Sequence, residues 1–161
     1  MARKSAGILP FRRRAGTVQV LLVHPGGPFW RKRDDGVWSI AKGEYGDDEQ
    51  AEAAARREFT EETGWQVTVD LMQLGETRQA GGKYVTAFAV ESDFDPTTLR
   101  SNVFEMEWPP RSGRMQSFPE IDRAEWFSLE KAREKLLAGQ RPYIERLVRL
   151  LQRRPNLFDA D

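Results

Sequence analysis

The chain has 161 residues, 39% of them apolar and 31% charged, enough to bury one core without covalent staples. Its 25 basic and 25 acidic residues cancel, which argues against a nucleic-acid coat, and the absence of cysteine excludes disulfides, cysteine-ligated zinc and thiol catalysis. One histidine rules out a histidine-rich metal cage, and no stretch approaches the eighteen or so uncharged apolar residues of a membrane span, so the expectation is a single cytoplasmic domain over residues 1–161.

In chain order, residues 5–11 and 17–23 are apolar, β-branched runs separated by a glycine-containing turn, the pattern of a hairpin. Residues 24–36 contain two prolines and three glycines and cannot extend a strand. A short strand is predicted over 37–40. The clearest helix covers 47–63, with Asp47 as N-cap, Gln50 at the capping-box spacing, alanines and charged residues between, and Gly64 as the stop.

Residues 67–77 and 83–91 read as strands across an Ala80-Gly81-Gly82 turn, and 102–108 as another. With three prolines and a glycine, 109–120 reads as a loop, followed by a short strand over 123–127. Helices are predicted over 129–138 and 142–151, the second opened by Pro142. Asn156, Leu157 and Phe158 could pack on the body, reach a partner or fray. No linker or internal repeat interrupts this order, which gives a mixed α/β domain.

The predicted helix over 47–63 carries an anomaly. At roughly 100° per residue, with Glu58 at zero, Glu62 falls near +40° and Glu61 near −60°, among Ala51, Ala54, Ala55 and Phe59. A solvated helix sets its acids opposite its small apolar residues. Here the carboxylates share the inward face, where unpaired charges are costly. A bound hard cation resolves the conflict, and oxygen-only ligands without thiols point to Mg²⁺ or Mn²⁺. Arg57 lies one turn before Glu61 and can pair with it.

The residues Gly43, Glu49, Arg57, Glu58, Phe59, Glu61, Glu62, Gly64 and Trp65 fill all nine constrained positions of the Nudix hydrolase signature, so the sequence resembles that family. The resemblance implies an α/β/α sandwich with a curved mixed sheet. It also implies hydrolysis of a nucleoside diphosphate linked to another group, with Mg²⁺ or Mn²⁺ as cofactor. Glu58, Glu61 and Glu62 become metal ligands, with a carbonyl near Lys42 or Gly43 as a further one. Glu49 steadies the loop of the motif, Gly43 lets it pass close to the metal, and Gly64 ends the helix. In the family's Pro-Lys-Gly run, Ala41 stands here in place of proline.

A later glutamate often serves such enzymes as base or extra ligand. Glu120 is the choice here, with Glu105 and Glu107, on one face of the 102–108 strand, as rivals. Lys42, Lys83 and Arg31 are expected to meet phosphates. Trp30, Tyr45, Tyr84 or Phe118 is expected to stack a base. His24, before a proline, reads as structural.

The substrate expected is a small-molecule nucleotide, with a dinucleoside polyphosphate favoured over a nucleoside triphosphate of the house-cleaning kind or ADP-ribose. A non-catalytic nucleotide-binding domain is the reading from another class. Neither nucleic acid nor membrane is expected as partner, and the choice between monomer and homodimer stays open.

Overall fold

The computed structural model describes residues 3–153, so Asn156, Leu157 and Phe158 lie outside the described residues. Strand β1 (Lys4–Arg14) organises the sheet. One edge of β1 runs parallel to β5 (Tyr84–Glu91), from Lys4 opposite Tyr84 to Phe11 opposite Glu91. Its other edge is divided. The C-terminal half, from Phe11 to Arg14, pairs antiparallel with β2 (Thr17–Pro25), whereas Ser5 to Ile8 pair antiparallel with β3 (Ala41–Glu44). Gly7 makes the second pairing possible, since a Cβ there would lie 2.6 Å from the Ala41 carbonyl oxygen and from Lys42 Cβ.

Strand β4 (Met72–Arg78) extends the sheet beyond β5, and β8 (Ile121–Ser128) extends it beyond β2. The order is β4-β5-β1-β2-β8, with β3 on the free half of β1. Strands β6 (Val103–Glu107) and β7 (Met115–Pro119) form a separate two-stranded sheet.

Alternation along the strands fills two cores. Leu9, Phe11, Val20 and Leu22 point to the side covered by α2 (Leu129–Lys135) and α3 (Pro142–Arg153), where Tyr143, Ile144, Leu147 and Leu151 are buried. Ala6, Ile8, Leu21 and Val23 point to the other side, against Ala54, Ala55 and Phe59 of α1 (Ala51–Thr63). The result is the expected α/β/α sandwich on a mixed sheet. Among the described residues no helix is long and apolar enough to cross a membrane.

Four local expectations are corrected. The N-cap of α1 is Gln50, without a side-chain cap bond, because Asp47 is taken by Lys4 Nζ at 2.6 Å. The stop at Gly64 does form: it is left-handed, with φ of 81°, and its N–H bonds the Thr60 carbonyl. Residues 37–40 make only single bridges, Val23 to Ser39 and Trp38 to Leu136, and the strand proper begins at Ala41. The predicted loop 109–120 contains β7, which pairs with β6 through residues that show no apolar alternation. The strand expected over 67–77 is confined to β4.

The bridged segment before β3 is fixed at long range by Gln140, which is fully buried. Its Oε1 accepts from the Ile40 backbone N–H at 2.9 Å, and its Nε2 donates to Ser39 Oγ at 2.9 Å. Gln140→Leu would strand a buried N–H two residues before Lys42. It is expected to cost about 1–3 kcal/mol, read as a lower Tm in thermal unfolding, and an unchanged Tm would refute the role.

Candidate active site

Helix α1 presents its small face to β1 and β3, and this close approach sets the site. A Cβ at Gly43 would collide with the Glu58 carboxylate, so glycine is what allows the acid to lie against β3. Glu58 is 9% exposed, and burial raises its carboxyl pKa against the pull of Arg57.

Arg57 is the hub of the carboxylates. It grips Glu49 through both oxygens, Nε to Oε2 at 2.9 Å and Nη2 to Oε1 at 2.8 Å, and donates through Nη1 to Glu58 Oε1 at 2.8 Å. Glu61 lies farther from Nη1, at 3.4 and 3.5 Å. The expected Arg57–Glu61 pair is therefore the loosest of its contacts, and the bidentate partner is Glu49, just ahead of the helix. That bond to Glu49 holds the guanidinium above its already high pKa and Glu49 below the usual carboxylate range.

Glu62 comes next along the same face. Burial, followed by the charges of Glu120 and Glu58, pushes its pKa up to about 7, with Lys42 opposing. Lys42 itself is shifted down, by burial first and by Lys83 second.

Glu62, Lys42 and Glu120 line one cleft of about 250 Å³, with Trp30 and an apolar lining that includes Val23, Ile40, Ile121 and Leu137. The cleft follows from the divided edge of β1. Where β2 and β3 separate, the end of β2, the start of β3 and the start of β8 surround a gap that no strand fills. Neither the Glu62 nor the Glu120 carboxylate has a hydrogen-bonded or ion-paired partner among the described residues.

Trp30 is carried by the loop between β2 and β3, and His24 anchors that loop. The imidazole is fully buried. Its Nε2 donates to the Arg33 carbonyl at 2.7 Å, and its Nδ1 lies 2.8 Å from Asp122 Oδ1. The structural reading of His24 thus gains a specific content: it ties the loop bearing Trp30 to the strand that follows Glu120. Only the isolated histidine beside a proline marked it in the sequence. Its partners, 9 and 98 residues away, could not be read.

The structure gathers some expected residues and disperses others. Lys42, Trp30, Glu62 and Glu120 meet in the cleft. Glu105 and Glu107 do not: both are exposed on β6, and Glu107 Oε1 accepts from the Arg111 backbone N–H at 2.9 Å. Arg31 is exposed on the loop, outside the cleft lining. Lys83 is sensed by Lys42 through its charge but does not line the cleft. Tyr45 packs on the core beneath α1 with Lys4 Nζ 5.3 Å from its ring centroid, and Phe118 packs on Phe104 at 6.0 Å. Neither ring lines the cleft. The apolar lining was not anticipated, because its residues are ordinary core types from four separate segments.

A family model described as the NUDIX domain matches residues 1–147. No curated protein sequence matches the chain. Among solved structures, the C. elegans Ap4A hydrolase binary complex is similar at 22% identity and a TM-score of 0.61, over 94% of this chain and 98% of that one. The NUDIX domain of Shewanella oneidensis NrtR complexed with ADP ribose gives 18% and 0.62, over 94% and 89%. The C-terminal domain of mouse MUTYH, in complex with human PCNA, gives 17% and 0.60, over 96% and 91%. At such identities the likeness carries the fold, and the fold alone does not fix chemistry. With the signature of α1 and a model match over nearly the whole described chain, this protein belongs to the Nudix family.

Proposed function

We propose that the chain is a divalent-metal-dependent pyrophosphohydrolase, in which water attacks phosphorus and breaks a phosphoanhydride bond of a nucleoside diphosphate linked to another group, with a dinucleoside polyphosphate as substrate. One observation carries this reading: Glu62 and Glu120 approach one cleft from α1 and from the β7–β8 junction, with Glu58 close behind, and no bonded cation among the described residues compensates Glu62 or Glu120. Membership of the Nudix family supports the reaction class. The dinucleoside polyphosphate is proposed as the finer reading, and the fold is shared over nearly the full length of both chains with an Ap4A hydrolase.

Among the described residues, no three acidic or imidazole groups are already drawn tightly enough to enclose an ion. The donor chemistry fits one nonetheless. Glu58, Glu61 and Glu62 offer only oxygen, the β3 backbone at Gly43 lies against Glu58, and Arg57 takes one oxygen of Glu58 while leaving the other. Bound by these groups, Mg²⁺ or Mn²⁺ would offset the diphosphate charge and lower the pKa of an attacking water.

The chain's own residues divide the remaining work. Arg57 and Glu49 fix the orientation of Glu58. Lys42 meets a phosphate oxygen from β3. Trp30 stacks the base, with the Arg33 guanidinium 5.6 Å from its ring centroid. Glu120, exposed and without a competing cation, takes the proton of the attacking water.

Chromatography of the nucleotide products from diadenosine tetraphosphate, nucleoside triphosphates and ADP-ribose distinguishes the substrates. Turnover is expected to be fastest on the first, to require Mg²⁺ or Mn²⁺, and to stop with EDTA. Turnover that survives the chelator would defeat the metal reading. Glu120→Gln should lower kcat at least about tenfold at similar KM, whereas Glu105→Gln and Glu107→Gln should leave it within about twofold. The reverse pattern would move the base to β6.

The pH dependence of stability gives a further check. Because the Glu62 pKa rises from 4.5 to about 7 on folding, the native state holds its proton more tightly than the unfolded chain. Stability is therefore lost as pH rises through that window, and the loss persists above it. In EDTA at pH 8, Glu62→Gln is expected to melt roughly 2–6 °C above the parent protein, a screened fraction of the full linkage. The difference should vanish near pH 4, and Mn²⁺ should stabilise the parent more than the variant. A variant that melts lower at pH 8 would contradict this account.

A further inference from the structure

The loop between β2 and β3 meets the β6–β7 hairpin at three successive points. The Gly26 N–H donates to the Glu120 carbonyl at 2.9 Å, and a Cβ at Gly26 would run into the Pro119 carbonyl. Gly27, left-handed at φ of 96°, lies under the Phe104 ring, where a Cβ would come within 3.0 Å of Cζ. Phe29 then meets Trp108 edge to face, with centroids 5.5 Å apart at 79°. The hairpin pairs with no strand of the main sheet. An isolated pair of strands has little stability of its own, so these contacts with the loop set its position.

This arrangement leaves Phe29 62% exposed, with Trp108 against it edge to face. A large aromatic group presented to water beside the cleft is the feature of a recognition surface rather than of a core. Its surroundings fit the same ligand. Arg111 and Arg114 at the hairpin tip and Arg31 and Lys32 on the loop are exposed cationic residues of the same two segments that carry Phe29 and Trp108.

Trp30 lines the cleft, whereas Phe29 and Trp108 lie outside its lining. One base stacked on Trp30 therefore leaves the Phe29 ring free for a second nucleoside at the far end of a polyphosphate.

Building on the hydrolase reading, we propose that Phe29 and Trp108 form a second base-stacking platform, which holds the distal nucleoside of a dinucleoside polyphosphate while the proximal one occupies the cleft at Trp30. The loop then joins the two subsites: Trp30 faces the cleft and its neighbour Phe29 faces the hairpin tip. Selection for two bases over one is built into that single dipeptide.

The test is a calorimetric titration with two hydrolysis-resistant, methylene-bridged ligands, a diadenosine tetraphosphate analogue and an adenosine 5′-tetraphosphate analogue. The parent protein is expected to bind the two-base ligand about tenfold tighter, the scale of one base stacked on an aromatic ring. Phe29→Ala should bring the two affinities within about twofold by weakening only the two-base ligand, and Phe29→Tyr should restore the preference. Equal affinities in the parent would overturn the proposal, as would a Phe29→Ala variant that keeps the tenfold preference or weakens both ligands alike. Because the titration needs no turnover, a protein that hydrolyses nothing would sink the hydrolase reading while the two-base preference is still measured.

Discussion

The structure depends on how closely α1 can approach β3. A carboxylate, Glu58, is pressed into the contact between a helix and a strand, where an apolar residue would be the cheaper choice for stability. Glycine at position 43 makes the space, glycine at position 7 brings β3 against β1, and the alanines at 54 and 55 let the helix settle on the sheet. Side chains at any of these points would push α1 outward, and its acids would then face water as ordinary surface charges. The crowding of Glu58 is what makes it useful. A desolvated, oriented carboxylate interacts more strongly with a cation than a solvated one.

The same approach explains the ordering of the carboxylates. Arg57 points along the helix surface and takes Glu49 with both oxygens, so the cation nearest Glu58 is itself largely committed. It orients Glu58 without neutralising the cluster. Glu62, one turn farther along, receives no such bond and feels Glu120 from the opposite wall. The cluster thus grades from a paired, solvent-facing end at Glu49 to an uncompensated end in the cleft. Negative charge is least compensated at the end in the cleft.

The helix was legible because its information is local. Acids at three- and four-residue spacing among alanines identify a face, and α1 buries that face at Ala54, Ala55 and Glu58, with Glu62 half-buried, while Glu61, expected on it, lies exposed. The choice of Glu120 over Glu105 and Glu107 rested on its place before the last strand, and the structure sets only Glu120 in the cleft. What could not be read is long-range. Asp47 fits the N-cap pattern, but an amine 43 residues upstream claims it. Residues 37–40 have strand composition, yet their backbone is satisfied by Val23, by the segment after α2 and by Gln140. Strand β7 shows no apolar alternation because its hairpin covers neither core. The expected base-stackers Tyr45 and Phe118 are aromatics at plausible places in the chain, and only tertiary packing shows that other rings hold them.

These limits locate the division of labour within the molecule. On the proposed reading, chemistry that requires fixed geometry sits on α1 and β3, where the backbone is paired and the side chains are confined. Selection among ligands would fall to the exposed part of the loop between β2 and β3, ahead of its core residues Trp38 and Ile40, and to the β6–β7 hairpin. Those two segments are not independent of the rigid part. His24, buried at the end of β2, bonds the loop through Arg33 and the start of β8 through Asp122, two residues after Glu120. A shift of the loop that carries Trp30 would therefore strain the same histidine that holds the strand beside Glu120. The positions of Trp30 and Glu120 are thus coupled through one buried ring.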